Sequence, residues 1–252
     1  MTLDRAAEHP APLTRRRPSG EPPPLPRPVS AGTRACLVAC ALVVPLWVAL
    51  ATQVGARAVT RVDLAVLDVI TRPRTDALVD AARDVAVLGS LWTFRALAWA
   101  TLVVLAATRR FQHLVVALGV LLVVPLLDGL VSAWLGRMRP AEVAIVGQWS
   151  GYAHPSRPVA LLGLGLTVML LTLVPAGRWR RWGVAAAAGA IVLLVAAQLL
   201  LAVDHPTDVA AALAISVALP AVAFRLLTPE DVFPVTYRRG VRAHLDVRGR
   251  RG

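Results

Sequence analysis

The stretch LLLAVDHPTD, from Leu199 to Asp208, decides how the rest of the chain is interpreted. It marks the point where an uninterrupted apolar run ends in two acids, an imidazole and a proline. Another apolar run follows directly, over residues 209–227. Two long apolar runs joined by a few polar residues are typical of two membrane-spanning helices connected by a tight turn. The polar residues of that turn form either a helix cap or part of a functional site.

The composition extends this interpretation to the whole chain. Of the 252 residues, 57% are hydrophobic, and several windows approach 20 residues without a charge. A helix needs about 20 apolar residues to cross roughly 30 Å of hydrocarbon. We therefore predict an all-α integral membrane protein with six spans, over residues 35–56, 91–108, 112–135, 159–177, 183–203 and 209–227.

The distribution of arginine predicts the orientation. All 27 basic residues are Arg, and the net charge is +12. They cluster in residues 1–33 and 229–252, which flank a membrane domain of residues 34–228, and in the loops after spans two and four. The positive-inside rule places this face in the cytoplasm, in a protein of the plasma (cytoplasmic) membrane with both termini inside. We expect the two tails to be disordered and to contact anionic lipids, and not nucleic acid.

The opposite face of this topology collects residues 57–90, 136–158 and 204–208. In the first of these loops, apolar residues recur at helical spacing, which predicts amphipathic helices lying in the membrane interface. The other two loops are short and polar. Any site that they form would face the outside of the cell.

Two of the polar segments contain cations or a helix start. GRMRP, Gly136 to Pro140, presents two Arg separated by one residue, a pattern that binds phosphate oxygens or simply snorkels to the interface. HPSRP, His154 to Pro158, places Ser156 as a helix cap and Pro158 in the first helical turn. Free N–H groups at such a helix start attract anions.

The third segment, DHPTD, admits two interpretations. Pro206 suits a helix start with Asp204 or Thr207 as its cap. Alternatively, His205 is a base or nucleophile whose ring is oriented by Asp208.

Together the three segments resemble the motifs of the type-2 phosphatidic acid phosphatase family, membrane lipid-phosphate phosphatases in the superfamily of the vanadium haloperoxidases. The family pattern is K-x6-R-P, then P-S-G-H, then S-R-x5-H-x3-D, at one end of a six-helix bundle. The resemblance covers residues 35–227. It implies a metal-free and cofactor-free reaction in which a His attacks phosphorus, an Asp orients that His, and positive donors stabilise the developing charge.

Part of the pattern is present and part is replaced. Arg139, Pro140, Pro155, Ser156 and Asp208 match the family positions. The departures are Ser132 for the Lys, Arg157 and Pro158 for the Gly and the acid His, Ala197 and Gln198 for the Ser–Arg pair, and Asp204 for the nucleophilic His.

These departures predict a family member without standard catalysis that still binds a phosphorylated lipid headgroup. The predicted binding residues are Arg137, Arg139, His154, Ser156 and Arg157. The first alternative is an active phosphatase on a lipid phosphate or polyprenyl diphosphate, with His205 and Asp208 as catalytic residues. The second is a structural or scaffold membrane protein. Asp128, within span three, is either a polar contact between helices or part of a cavity.

Overall fold

The fold of the computed structural model is a helical bundle, described over residues 31–146, 149–174 and 177–227. The helices are α1 (Ala31–Leu50), α2 (Gln53–Thr71), α3 (Asp76–Ala86), α4 (Leu91–Ala107), α5 (Phe111–Leu135), α6 (Arg157–Leu173), α7 (Arg178–Leu200), α8 (Pro206–Leu213) and α9 (Leu219–Leu227). A π-helical turn, Ala214–Ala218, joins α8 to α9 into one stretch.

The six predicted spans correspond to α1, α4, α5, α6, α7 and the stretch α8–α9. Five apolar segments in the described residues are long enough to cross a membrane, one of them running through α3 and α4 as Asp76–Ala107, and the sixth, α6, has 17 residues. At 1.5 Å per residue, α6 extends about 26 Å. Span one ends at Leu50 and not at residue 56, because Thr52 caps a separate helix there by accepting a hydrogen bond from the Gly55 N–H. Span four ends at Leu173 and span five begins at Arg178.

The surface of the bundle supports its placement in a membrane. On α5, the apolar side chains of Leu122, Leu126, Leu130 and Trp134 each expose more than half of their area. These residues lie four apart, so they form one stripe along the helix. An exposed apolar stripe over a whole span suits lipid and not water. The protein is an integral membrane protein.

The predicted helices of the loop 57–90 are present as α2 and α3. Their position in a membrane interface stays a prediction. Arg74, between them, donates from Nε to the Leu200 carbonyl at 2.6 Å and from Nη1 to the Ala144 carbonyl at 2.7 Å. These bonds tie the α2–α3 connection to the end of α7 and to the segment that follows α5.

Helix α6 occupies the centre of the bundle and is the most enclosed span. Most of its side chains are buried, and it packs against α4, α5, α7, α8 and the π-helical turn. A Cβ at Gly163 would come within 2.5 Å of Ser216 Oγ, and one at Gly165 within 3.0 Å of Leu97 Cδ1. Small residues therefore let neighbouring helices approach α6 closely. This packing places the start of α6 beside the start of α8.

The predicted tails, residues 1–33 and 229–252, lie almost entirely outside the described residues. The membrane domain predicted over 34–228 corresponds to the described bundle of residues 31–227.

Candidate active site

The polar segments meet at one end of the bundle, where α5 ends and both α6 and α8 begin. They form a connected network that we call the polar cluster, consisting of Asp63, Arg137, Arg139, His154, Ser156, Asp204, His205, Thr207 and Asp208. Asp63, His154, Ser156, Asp204, His205 and Asp208 are buried. Arg139, Ser156 and Asp208, which come from distant parts of the sequence, therefore lie in a single site.

Asp208 is the centre of the cluster. Its Oδ1 accepts hydrogen bonds from Arg137 Nη1 at 2.5 Å and from His154 Nδ1 at 2.8 Å. Its Oδ2 accepts from the backbone N–H and Nδ1 of His205, at 2.9 and 2.8 Å. His205 is thus the N-cap residue of α8, with Pro206 first in the helix. The predicted cap at Asp204 or Thr207 was wrong, because the carboxylate three residues into the turn holds the His205 backbone.

His154 is fully engaged within the protein. Its Nε2 accepts a hydrogen bond from Trp47 Nε1 at 3.0 Å, so its Nδ1 carries the proton donated to Asp208. Trp47 belongs to α1, and the contact therefore fastens the first helix to the cluster. With both ring nitrogens bonded and the side chain completely buried, His154 offers no open face to a ligand.

Arg137 is held between two carboxylates. Besides Asp208, its Nη2 contacts Asp63 Oδ2 at 2.6 Å. Asp63 also accepts from the backbone N–H of Thr207 at 3.1 Å and from its hydroxyl at 2.6 Å. Arg137, which was predicted to bind a headgroup, is therefore paired with two carboxylates of the cluster.

Asp204 accepts hydrogen bonds from Ser156 and Arg139, two residues that match phosphoryl-binding positions of the family motifs. Its Oδ2 accepts from Ser156 Oγ at 2.6 Å, and its Oδ1 accepts from Arg139 Nη1 at 3.0 Å. Ser156 is the N-cap residue of α6, as predicted, but its hydroxyl bonds to Asp204 and not to its own helix. An internal carboxylate therefore bonds to both Ser156 and Arg139.

Burial raises the pKa of Asp204, with a smaller contribution from the nearby Asp208. The hydrogen bond from Ser156 and the charge of Arg139 oppose this rise, and the resulting pKa is about 6. The folded protein then binds this proton more tightly than the unfolded chain, where the pKa is near 3.8. Stability should consequently rise as the pH falls through 6.

This titration predicts a pH effect on thermal unfolding. From pH 7.5 to pH 5, Asp204 should add about 1 kcal/mol to the stability of the wild type, from the two pKa values. In Asp204→Asn the group cannot titrate, so this increment should be missing. Thermal unfolding in detergent at both pH values measures it. Equal pH responses of the two proteins would show that Asp204 does not titrate in this range.

A cavity of about 380 Å³ adjoins the cluster. We call it the Asp128 cavity. Its polar lining includes Asp128, Ser132, Arg139 and Arg157, with apolar walls from α4, α5 and α6. Two of the predicted binding residues, Arg139 and Arg157, thus line this cavity, whereas Arg137, His154 and Ser156 are not in its lining. Arg139 also donates from Nη2 to the Ser150 and Tyr152 carbonyls, at 3.2 and 3.5 Å.

His205 does not line this cavity. Its side chain is 3% exposed, and within the described residues its Nε2 has no hydrogen-bond partner. The ring contacts the Asp208 carboxylate through Nδ1.

Comparison of the whole fold with solved structures gives a clear match. The crystal structure of the first transmembrane PAP2-type phosphatidylglycerolphosphate phosphatase, from Bacillus subtilis, superposes with a TM-score of 0.63. The match covers 82% of this chain and 100% of that one, at 18% identity. The chain has the PAP2-type fold. No protein-family model matches the sequence, and neither does any curated protein.

The PAP2-type fold explains why three segments far apart in the sequence converge. Sequence reasoning missed Asp63 and Thr207 as members of the cluster, and it missed Trp47, which bonds to His154. The sequence does contain an indication that Asp63 is buried. It lies four residues before Leu67, and both residues are buried on the same face of α2. An acid on the apolar face of an amphipathic helix indicates a buried partner. Trp47 gave no comparable signal within its apolar run.

Proposed function

We propose that the protein is a PAP2-type membrane protein that does not form a phosphohistidine and instead binds a phosphorylated lipid headgroup. The observation that carries this proposal is the Asp204 carboxylate bound to Arg139 and Ser156. A carboxylate at this position supplies no imidazole for attack. It also satisfies donors that would otherwise stabilise the charge of the transferring group.

The Asp128 cavity supports binding of the headgroup. Arg157 stands where the family motif has Gly; it is exposed and lines the cavity together with Arg139. Arg139 Nε is buried with no hydrogen-bond partner among the described residues, whereas its Nη1 and Nη2 donate to protein oxygens. Guanidinium groups suit phosphate because their donors match its oxygens. Compared with the family motifs, the chain thus lacks the cations expected at residues 132 and 198 and has an additional one at residue 157.

The orientation belongs to the same proposal. The Arg-rich segments favour both termini in the cytoplasm, which places the polar cluster at the outer face. The headgroup would then come from the outer leaflet.

Substitution of Arg157 tests headgroup binding. In Arg157→Gln, the affinity for short-chain phosphatidic acid should fall about tenfold, because a hydrogen bond to a charged group contributes roughly 1.5–3 kcal/mol. Calorimetric titration of the purified protein in detergent measures this affinity. Arg72→Gln is the control, since Arg72 is exposed and paired with Asp68 away from the cavity. Equal affinities in the wild type and Arg157→Gln, or no binding by the wild type, would contradict the proposal.

A second candidate function, an active phosphatase, is favoured by one observation. His205 donates from Nδ1 to Asp208, which leaves Nε2 as the nitrogen able to attack phosphorus. This candidate requires a phosphoryl adduct on His205 during turnover. Mass spectrometry of protein quenched with a lipid phosphate distinguishes the candidates: an adduct on His205 supports the enzyme, and its absence supports the binding protein.

A further inference from the structure

Asp128 is a buried carboxylate for which the described residues provide no hydrogen bond. It lies on α5 within a membrane span and is 7% exposed. Its Oδ1 has no hydrogen-bond partner in the part of the chain that the structure describes. An isolated carboxylate in an apolar environment is costly, so such a group is normally paired with a cation or a hydrogen-bond donor.

The cavity presents this carboxylate to a ligand. Asp128 and Ser132 both line it and lie one helical turn apart on α5. Ser132 is the nearer of the two to the end of α5 at Leu135, so Asp128 lies about 6 Å deeper along the helix axis. The sequence left Asp128 either as a contact between helices or as part of a cavity, and the geometry places it in the cavity.

Arg157 lines the same cavity as Asp128. It is exposed and is close enough to act electrostatically on Asp128. No hydrogen bond or ion pair of Arg157 occurs among the described residues. The cavity therefore combines a buried carboxyl group with two guanidinium groups, and Leu91, Phe94 and Leu161 form part of its walls.

We infer that the Asp128 cavity binds a phosphate ester of an amino alcohol, with the ammonium at Asp128 and the phosphate at Arg139 and Arg157. The inference rests on the proposed function and specifies its ligand. A headgroup that carries only phosphate leaves Asp128 unpaired and should therefore bind more weakly than one that also carries an ammonium. A primary ammonium donates hydrogen bonds to a carboxylate, whereas a quaternary ammonium has no N–H to donate. The cavity should therefore prefer a phosphoethanolamine headgroup to phosphocholine or phosphoglycerol.

Titration with short-chain phosphatidylethanolamine, phosphatidylcholine and phosphatidylglycerol tests the preference. The wild type in detergent should bind phosphatidylethanolamine about tenfold more tightly than either of the other two, as expected for one hydrogen-bonded charge pair. Asp128→Asn should lose this preference while its affinity for phosphatidylglycerol is unchanged or higher. Asp68→Asn, the same change at an exposed carboxylate paired with Arg72, should keep the preference.

The outcomes separate this inference from the proposed function. Binding of all three lipids with equal affinity, or a preference that survives in Asp128→Asn, overturns the inference and leaves headgroup binding intact. Binding of none of them overturns both. A thermal unfolding scan of Asp128→Asn checks that the variant is folded. Titration with soluble phosphoethanolamine distinguishes a lipid headgroup from a free phosphate ester as the ligand. Weaker binding than that of the lipid supports a membrane headgroup, and equal or tighter binding supports a free phosphate ester of the same class.

Discussion

Replacing Asp208 with Ala should destabilise the protein by about 3–5 kcal/mol, the cost typical of removing one partner from a buried ion pair. Asp208 is completely buried and accepts hydrogen bonds from Arg137, His154 and His205. Its loss leaves a buried guanidinium with one carboxylate fewer and two imidazoles without their acceptor. It also removes the side chain that fixes the first turn of α8. Thermal and denaturant unfolding in detergent, followed by circular dichroism, measures the effect.

The matched control is Asp68→Ala. Asp68 also pairs with an arginine, Arg72, but the two side chains are 63% and 69% exposed. Exposed pairs contribute about 0–1 kcal/mol, so this variant should unfold close to the wild type. Similar unfolding of Asp208→Ala and Asp68→Ala would mean that the polar cluster does not hold the helices together.

The bundle itself was predictable from the sequence because lipid imposes a length and a polarity on every span. Apolar runs separated by Arg or by short polar turns predict the helices of residues 91–135 and 206–227 closely. The boundary of α1 was less predictable. Residues 51–56 continue the apolar run, and the cap at Thr52 operates through a single side-chain oxygen.

The membership of the site was predictable in part. The resemblance of the motifs brought Arg139, Ser156 and Asp208 together, and they share one network. The use of each residue was not predictable, because it depends on contacts between distant segments. Arg137 and Asp63 are separated by 74 residues, and Trp47 and His154 by 107. No local pattern indicates that Arg137 is held by carboxylates while Arg157 lines a cavity.

The central functional expectation is that lipid-phosphate hydrolysis is absent. Removing the nucleophile of a catalytic unit typically lowers the rate about 10⁶-fold. Here Asp204 stands at the nucleophile position of the motif and holds Arg139 and Ser156. His205 is the next residue, but it caps α8 and its Nδ1 is bonded to Asp208. An incoming phosphate would also meet the negative charge of Asp204 above pH 6.

Phosphate release by the purified protein, with phosphatidic acid, phosphatidylglycerol phosphate and a polyprenyl diphosphate as substrates, tests this claim most directly. The variant His205→Ala serves as the reference, and both proteins are assayed at pH 5 and pH 7.5. We expect the wild type and the variant to release phosphate at the same background rate with every substrate. Turnover by the wild type that His205→Ala abolishes would contradict the claim and identify His205 as a nucleophile.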